Sequence, residues 1–177
     1  AQPGRPFFMM VEGGNIDHAL HGNDGGAAIK EIINFDQAIR VAYDFYLQHP
    51  DETLIVITAD HDTGGMTLGN SVLHYIDSQR VSKEEFSAYC KGILKSRRIF
   101  LWDDMKEYLT DNLGLFTVVP VSAEQEQALR DKFEACFTQR NSADQETLYA
   151  SFNSFAVDVF RHLNGQTGFG FTTTSHT

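Results

Sequence analysis

The chain has 177 residues, 42% of them hydrophobic, and a net charge of -10 from 14 Lys and Arg against 24 Asp and Glu. That length and composition suit one soluble domain able to bury a core of its own. The acidic balance leaves no basic face to track phosphates, so it argues against nucleic acid and favours divalent cations as partners.

The first element in chain order is the apolar run Phe7-Phe8-Met9-Met10, which predicts a buried strand and leads directly into Val11-Glu12-Gly13-Gly14-Asn15-Ile16-Asp17-His18-Ala19-Leu20-His21. Paired glycines after such a strand mark a loop at its C-terminal end, where open α/β sheets place their chemistry. If Asp17 begins a helix, its spacing from His21 sets a carboxylate beside an imidazole on one face. Gly22-Asn23-Asp24-Gly25-Gly26 reads as a loop. Ile29, Ile32, Ile33, Ile39, Ala42, Tyr43 and Tyr46 then recur at three- and four-residue steps, predicting an amphipathic helix over 27–47 that Pro50-Asp51-Glu52 ends.

Thr53-Leu54-Ile55-Val56-Ile57-Thr58 is apolar and β-branched, the composition of a strand covered on both faces in a parallel sheet. Strand, helix and strand in that order make a βαβ unit. The second strand also delivers candidate ligands, in Ala59-Asp60-His61-Asp62-Thr63-Gly64-Gly65.

From about residue 71 the pattern turns helical. Ser82-Lys83-Glu84-Glu85 and Ser122-Ala123-Glu124-Gln125 are capping boxes, opening helices that run to about Leu94 and Phe137. A helix over 103–113 is expected to stop at Gly114, and another over 145–163 at Asn164-Gly165. The organisation expected is a metal-site segment over 1–70, a helical insertion over 71–165, and a β-prone tail over 166–177 that returns to the sheet. Cys90 and Cys136 lack the spacing of a zinc knuckle or redox motif, and they pair or stay reduced. No run has the length of a membrane span, and the first residues lack a secretion-signal pattern. The chain starts just before a buried strand and stops at Ser175-His176-Thr177, which reads as a piece of something longer.

Glu12, Asp17, His21, Asp60, His61 and His176 form a mixed nitrogen and oxygen donor set, suited to zinc with a carboxylate-rich position for magnesium. Two zinc ions about 4 Å apart can clamp both oxygens of a phosphoryl transfer, so the set points at phosphate esters. Each pair has a plainer reading: Asp60-His61 as a helix-capping loop, Asp17 and His21 as a surface ion pair, His176 as a terminal histidine. His49, His74 and His162 are read as structural, the last favoured as an imidazolium near a helix C-terminus. The conjunction decides, because two strands of one βαβ unit end in ligands on one side of the sheet.

The segments 11–21 and 58–61, together with Ser175-His176-Thr177, resemble the three C-terminal metal motifs of alkaline phosphatases. Asp60-His61-Asp62-Thr63-Gly64-Gly65 is closer to bacterial members. The likeness is continuous over about residues 5–69, lapses through the helical block and resumes near 166. It implies a partial α/β/α sandwich with a mostly parallel sheet, carrying the helical insertion. By position it implies that Asp17, His21 and His176 bind a first zinc that holds substrate phosphate and activates water. Asp60 and His61 would bind a second zinc that activates a serine nucleophile, Glu12 a magnesium, and His18 would touch phosphate or magnesium through water. The full-length enzyme so implied is a periplasmic or extracellular homodimer with two zinc ions and one magnesium per subunit. It hydrolyses phosphate monoesters through a phosphoserine intermediate. The family's nucleophile motif has no counterpart here, since Asn141-Ser142-Ala143 lies in the insertion, so the chain alone is expected to be inactive and to oligomerise through exposed strand edges. Two other readings remain: a phosphodiesterase, sulfatase or phosphoglycerate mutase relative, against which Glu12 argues, and a non-catalytic module with the helical block as docking surface.

Overall fold

The computed structural model describes residues 4–69, 72–96, 98–140 and 154–173. Its elements are α1 (Gly14–His21), α2 (Gly25–Gln48), β1 (Thr67–Leu68), a 3-10 helix (Leu73–Ser78), α3 (Lys83–Ser96), α4 (Trp102–Leu113), α5 (Ala123–Phe133), a π-helical turn (Glu134–Thr138), α6 (Ser154–Thr167) and β2 (Phe169–Gly170).

Helices form where their end signals stand. At α3, Glu85 N–H donates to Ser82 Oγ at 3.2 Å while Ser82 N–H donates to Glu85 Oε2 at 2.8 Å. Ser122 and Gln125 make the same reciprocal pair at α5, at 3.2 and 2.8 Å. Gly114 ends α4 with φ +71°, a left-handed conformation that a side chain rarely adopts. Asp24 caps α2 by accepting from Ala27 N–H at 3.0 Å. The helix expected over 145–163 is described only from Ser154, its expected start lying outside the described residues. It continues past Asn164 and Gly165 to Thr167. Asn164 is buried and turned inward, so it packs the last turn instead of ending it.

The two expected strands do not form among the described residues. Residues 7–10 and 53–58 make no ladder, with Phe8 91% and Leu54 86% exposed. The sheet that does form has two antiparallel strands, pairing Thr67 with Gly170 and Leu68 with Phe169. Hydrogen bonding to neighbours is what makes an apolar run a strand, and among the described residues no backbone hydrogen bond joins either run to the other. The described part of the tail, through Thr173, thus pairs with residues just beyond the second motif and not with either of the expected strands.

The core therefore sits in the helical block. Phe86, Met105, Leu109, Phe133, Phe155 and Phe160 are at most 2% exposed and pack as one cluster. The Tyr89 and Tyr108 rings stack over it at 3.9 Å. Cys90 and Cys136 are buried thiols in this cluster, joined by no disulfide, and Cys136 Sγ lies 3.4 Å from Ser154 Oγ. His162 is structural, as expected, but not as an imidazolium: burial pushes its pKa down, and its ring N–H donates to the Pro120 carbonyl at 3.1 Å.

The helical block meets the segment before it at the N-terminal end of α2. A side chain on Gly25 would place its Cβ 2.3 Å from the Phe169 ring, so only glycine admits this approach. On the other side of α2, Phe7 packs edge-on against Phe45 with ring centres 6.0 Å apart.

Candidate metal centre

Asp17 and His21 stand on one face of α1, which begins at Gly14 and ends at His21 instead of beginning at Asp17. His21 Nε2 lies 3.3 Å from Asp17 Oδ2, the ring a quarter exposed and the carboxylate less than half. Asp60 and His61 follow the second apolar run, with His61 Nε2 3.6 Å from Asp60 Oδ2. Both are open to solvent, Asp60 most of all at 89%.

A residue that sequence reasoning passed over joins the two pairs. Thr63, 4% exposed, donates its hydroxyl to Asp17 Oδ1 at 2.7 Å, and the same Oγ1 lies 3.2 Å from His61 Nδ1. Because the hydroxyl proton is given to Asp17, the ring nitrogen must be the donor in the second contact. The Asp62 carbonyl, 3.1 Å from the same Nδ1, accepts only and requires the same. The proton is thereby assigned to Nδ1, and the lone pair of a neutral ring falls on Nε2. Ligating histidines are set up in this way, with one ring nitrogen anchored and the other free to donate electrons.

The tail is tied to both motifs. The Gly64 carbonyl accepts from Thr172 and Thr173 N–H at 3.0 and 3.4 Å. Asn23 Nδ2 donates to the Thr173 carbonyl at 2.6 Å, and Thr173 Oγ1 donates back to Asn23 Oδ1 at 3.3 Å. Asn23 is itself left-handed, with φ +52°, a conformation that asparagine tolerates better than most residues. Three stretches far apart in sequence thus converge on residues 17–23, 61–64 and 172–173. His176 lies outside the described residues. Glu12 and His18 are exposed, on the segment leading into α1 and on α1 itself. Among the described residues no three His, Cys, Asp or Glu side chains gather as a complete metal cage. The donors are arranged as two pairs bridged by Thr63, and carboxylate and imidazole without thiolate is a set that fits zinc.

No local signal marks Thr63, whose carboxylate partner Asp17 lies 46 residues away in sequence. Asp24 had one, an acidic residue immediately before Gly25 and the helical periodicity.

The sequence model of the alkaline phosphatase family matches residues 2–172. The repressible alkaline phosphatase of Saccharomyces cerevisiae is 42% identical over 66 residues, 37% of this chain and 12% of that protein. Alkaline phosphatase 4 of Bacillus subtilis is 48% identical over 63 residues, covering 36% of this chain and 13% of that protein. The crystal structure of a cold-active alkaline phosphatase from a psychrophilic Shewanella superposes with a TM-score of 0.66 at 26% identity, over 93% of this chain and 35% of that one. The chain spans a minor part of the length of each. The relatives include a yeast protein as well as a bacterial one, so they do not single out a bacterial origin. Both the family match and the structural match run through the helical block, where the motif resemblance had lapsed.

Proposed function

The chain belongs to the alkaline phosphatase family, and from that premise we propose that it is the metal-ligand portion of a phosphomonoesterase. The observation that carries the reading is the Thr63 hydroxyl, which ties Asp17 of the first motif to His61 of the second. In this reading Asp17 and His21, with His176 from the tail, hold one zinc. Asp60 and His61 contribute to a second, Glu12 to a magnesium, and His18 borders the phosphate or magnesium. Bound metal supplies Lewis acidity toward a phosphoryl oxygen. The chain's own residues orient it: Thr63 fixes the Asp17 carboxylate and the His61 tautomer, and the Asn23 and Gly64 contacts lead the tail toward the same place.

The exposed runs 7–11 and 54–57 are read as strands of a parallel sheet whose neighbours come from residues outside these 177. Their composition and their exposed apolar side chains, Met10, Val56 and Ile57 among them, support this. The full protein would be an exported homodimer acting on phosphate monoesters. Among the described residues no helix is long and apolar enough to cross a membrane.

Turnover needs a serine nucleophile and a clamp for the transferring phosphoryl group, and neither belongs to the two Asp-His pairs or their supports. The purified chain with excess zinc and magnesium is therefore expected to bind zinc weakly and to leave an aryl phosphate untouched. Equilibrium dialysis of zinc, with the His21→Ala variant as reference, and an aryl phosphate assay test both parts. Metal-dependent turnover that His21→Ala abolishes would sink the claim that the nucleophile lies elsewhere.

A further inference from the structure

The helix that presents Asp17 and His21 cannot hold itself in place. It has eight residues, none of them buried, well short of the length at which a helix is stable alone. It packs against α2, and its C-terminal end, where His21 stands, runs directly into the loop at residues 22–25, whose Gly22, Asn23 and Asp24 N–H groups donate back to the His18, Leu20 and Ala19 carbonyls. That loop is among the most heavily bonded parts of the molecule.

We infer that Gln79, Lys83 and Asn164 of the helical block form a buried brace on residues 22–25, and that this brace sets the position of the His21 imidazole. Lys83 Nζ donates to the Gly22 carbonyl at 2.7 Å. Asn164 Nδ2 donates to the Asn23 carbonyl at 2.7 Å, while its Oδ1 accepts from Gly25 N–H at 3.3 Å. The Asp24 carboxylate accepts from Gln79 Nε2 at 2.8 Å and from Lys83 N–H at 2.7 Å. Each of the four residues after His21 is thus held by the block, from three elements: the turn after the 3-10 helix, the start of α3, and α6. Asp24, Gln79, Lys83 and Asn164 are all at least nine-tenths buried.

Burying a charged pair and two amides is costly compared with apolar packing, so stability alone is a poor reason for such a cluster. What it supplies is direction, because directional hydrogen bonds to the Gly22, Asn23 and Gly25 backbone and to the Asp24 carboxylate admit one loop geometry where apolar contacts would admit several. The block is then the support of the metal-site loop instead of a docking surface. Gln79, Lys83 and Asn164 are positioning residues that act through the loop and touch no metal. The inference rests on reading Asp17 and His21 as ligands.

The test compares Asn164→Ala and Lys83→Met with Leu129→Ala, which loosens the block's core away from the loop, in the full chain. Hydrogen exchange read by mass spectrometry reports the brace without any metal, and titration with cobalt(II), followed by its visible spectrum, reports the site. Asn164→Ala and Lys83→Met are expected to speed exchange over residues 19–28 selectively and to weaken cobalt binding by about tenfold, the size seen when the support of a ligand is removed. Leu129→Ala is expected to lower global stability without either local change. Equal exchange patterns in Asn164→Ala and Leu129→Ala would overturn the brace. Cobalt binding that His21→Ala leaves unchanged would instead overturn the ligand reading, and the exchange result would still decide the brace.

Discussion

Phe8 and Phe133 are the same side chain in opposite circumstances. Phe133 is 2% exposed and touches the rings of Trp102, Phe137 and Phe155, whereas Phe8 is 91% exposed in a run of five apolar residues facing solvent. The helical block closes its apolar surface on itself. The segment over 4–69 keeps most of its own surface open, and among its few buried residues are those of the loop that the block grips. The segment that holds the proposed ligands thus depends on its surroundings for form, while the helical block has a core of its own.

That contrast can be broken by mutation. Phe133→Ala should cost about 3–5 kcal/mol in a denaturant melt, the range for emptying an aromatic site in a packed core, and Phe8→Ala about 0.5 kcal/mol or less. Comparable losses would mean that the two regions share one core. At the junction, Asp24→Ala should cost about 3 kcal/mol, since it leaves Lys83 buried beside a missing charge. Gly25→Ala should cost about 1–3 kcal/mol, because the Phe169 ring must move, and tryptic cleavage should rise in residues 4–69 before it rises in the block. Ser122→Ala, which removes a cap wholly inside the block, should cost about 1 kcal/mol and leave the loop after His21 unaltered by exchange.

A pH dependence sharpens the same junction. Burial lowers the Lys83 pKa from its ordinary 10.5 to about 8, against the pull of Asp24. Between these values the unfolded chain binds the proton more tightly than the folded one, so the Lys83 contribution to stability rises with pH. It is fully present above about 10.5 and lost as pH falls through about 8. The melting temperature of the wild type should therefore gain on that of Lys83→Met as pH rises from 8 to 10.5. A constant gap would place Lys83 in a more hydrated setting than its burial indicates.

The helices were legible because their signals are local. Ser82 with Glu85, Ser122 with Gln125, and Gly114 each act within one turn, and each does what its type predicts. The strands were legible in composition but not in outcome, since Leu54 to Ile57 need hydrogen-bonding neighbours that a local pattern cannot supply. The two Asp-His contacts proposed as ligand pairs could be read from spacing within α1 and from adjacency at 60 and 61. Thr63, Lys83 and Asn164 could not. Their partners lie 46, 61 and 141 residues away in sequence, and a hydroxyl, a lysine or an asparagine carries no mark of a distant contact.

In the proposed reading, the Asp-His pairs at 17 and 21 and at 60 and 61 are the zinc-binding part of a phosphatase site. X-ray absorption at the zinc edge of the zinc-loaded chain tests it most directly. Ligand scattering from nitrogen and oxygen alone, at about 2.0–2.1 Å, with the imidazole contribution reduced in His21→Ala, is the predicted result. A sulfur shell at about 2.3 Å, or a spectrum that His21→Ala leaves unchanged, would contradict it.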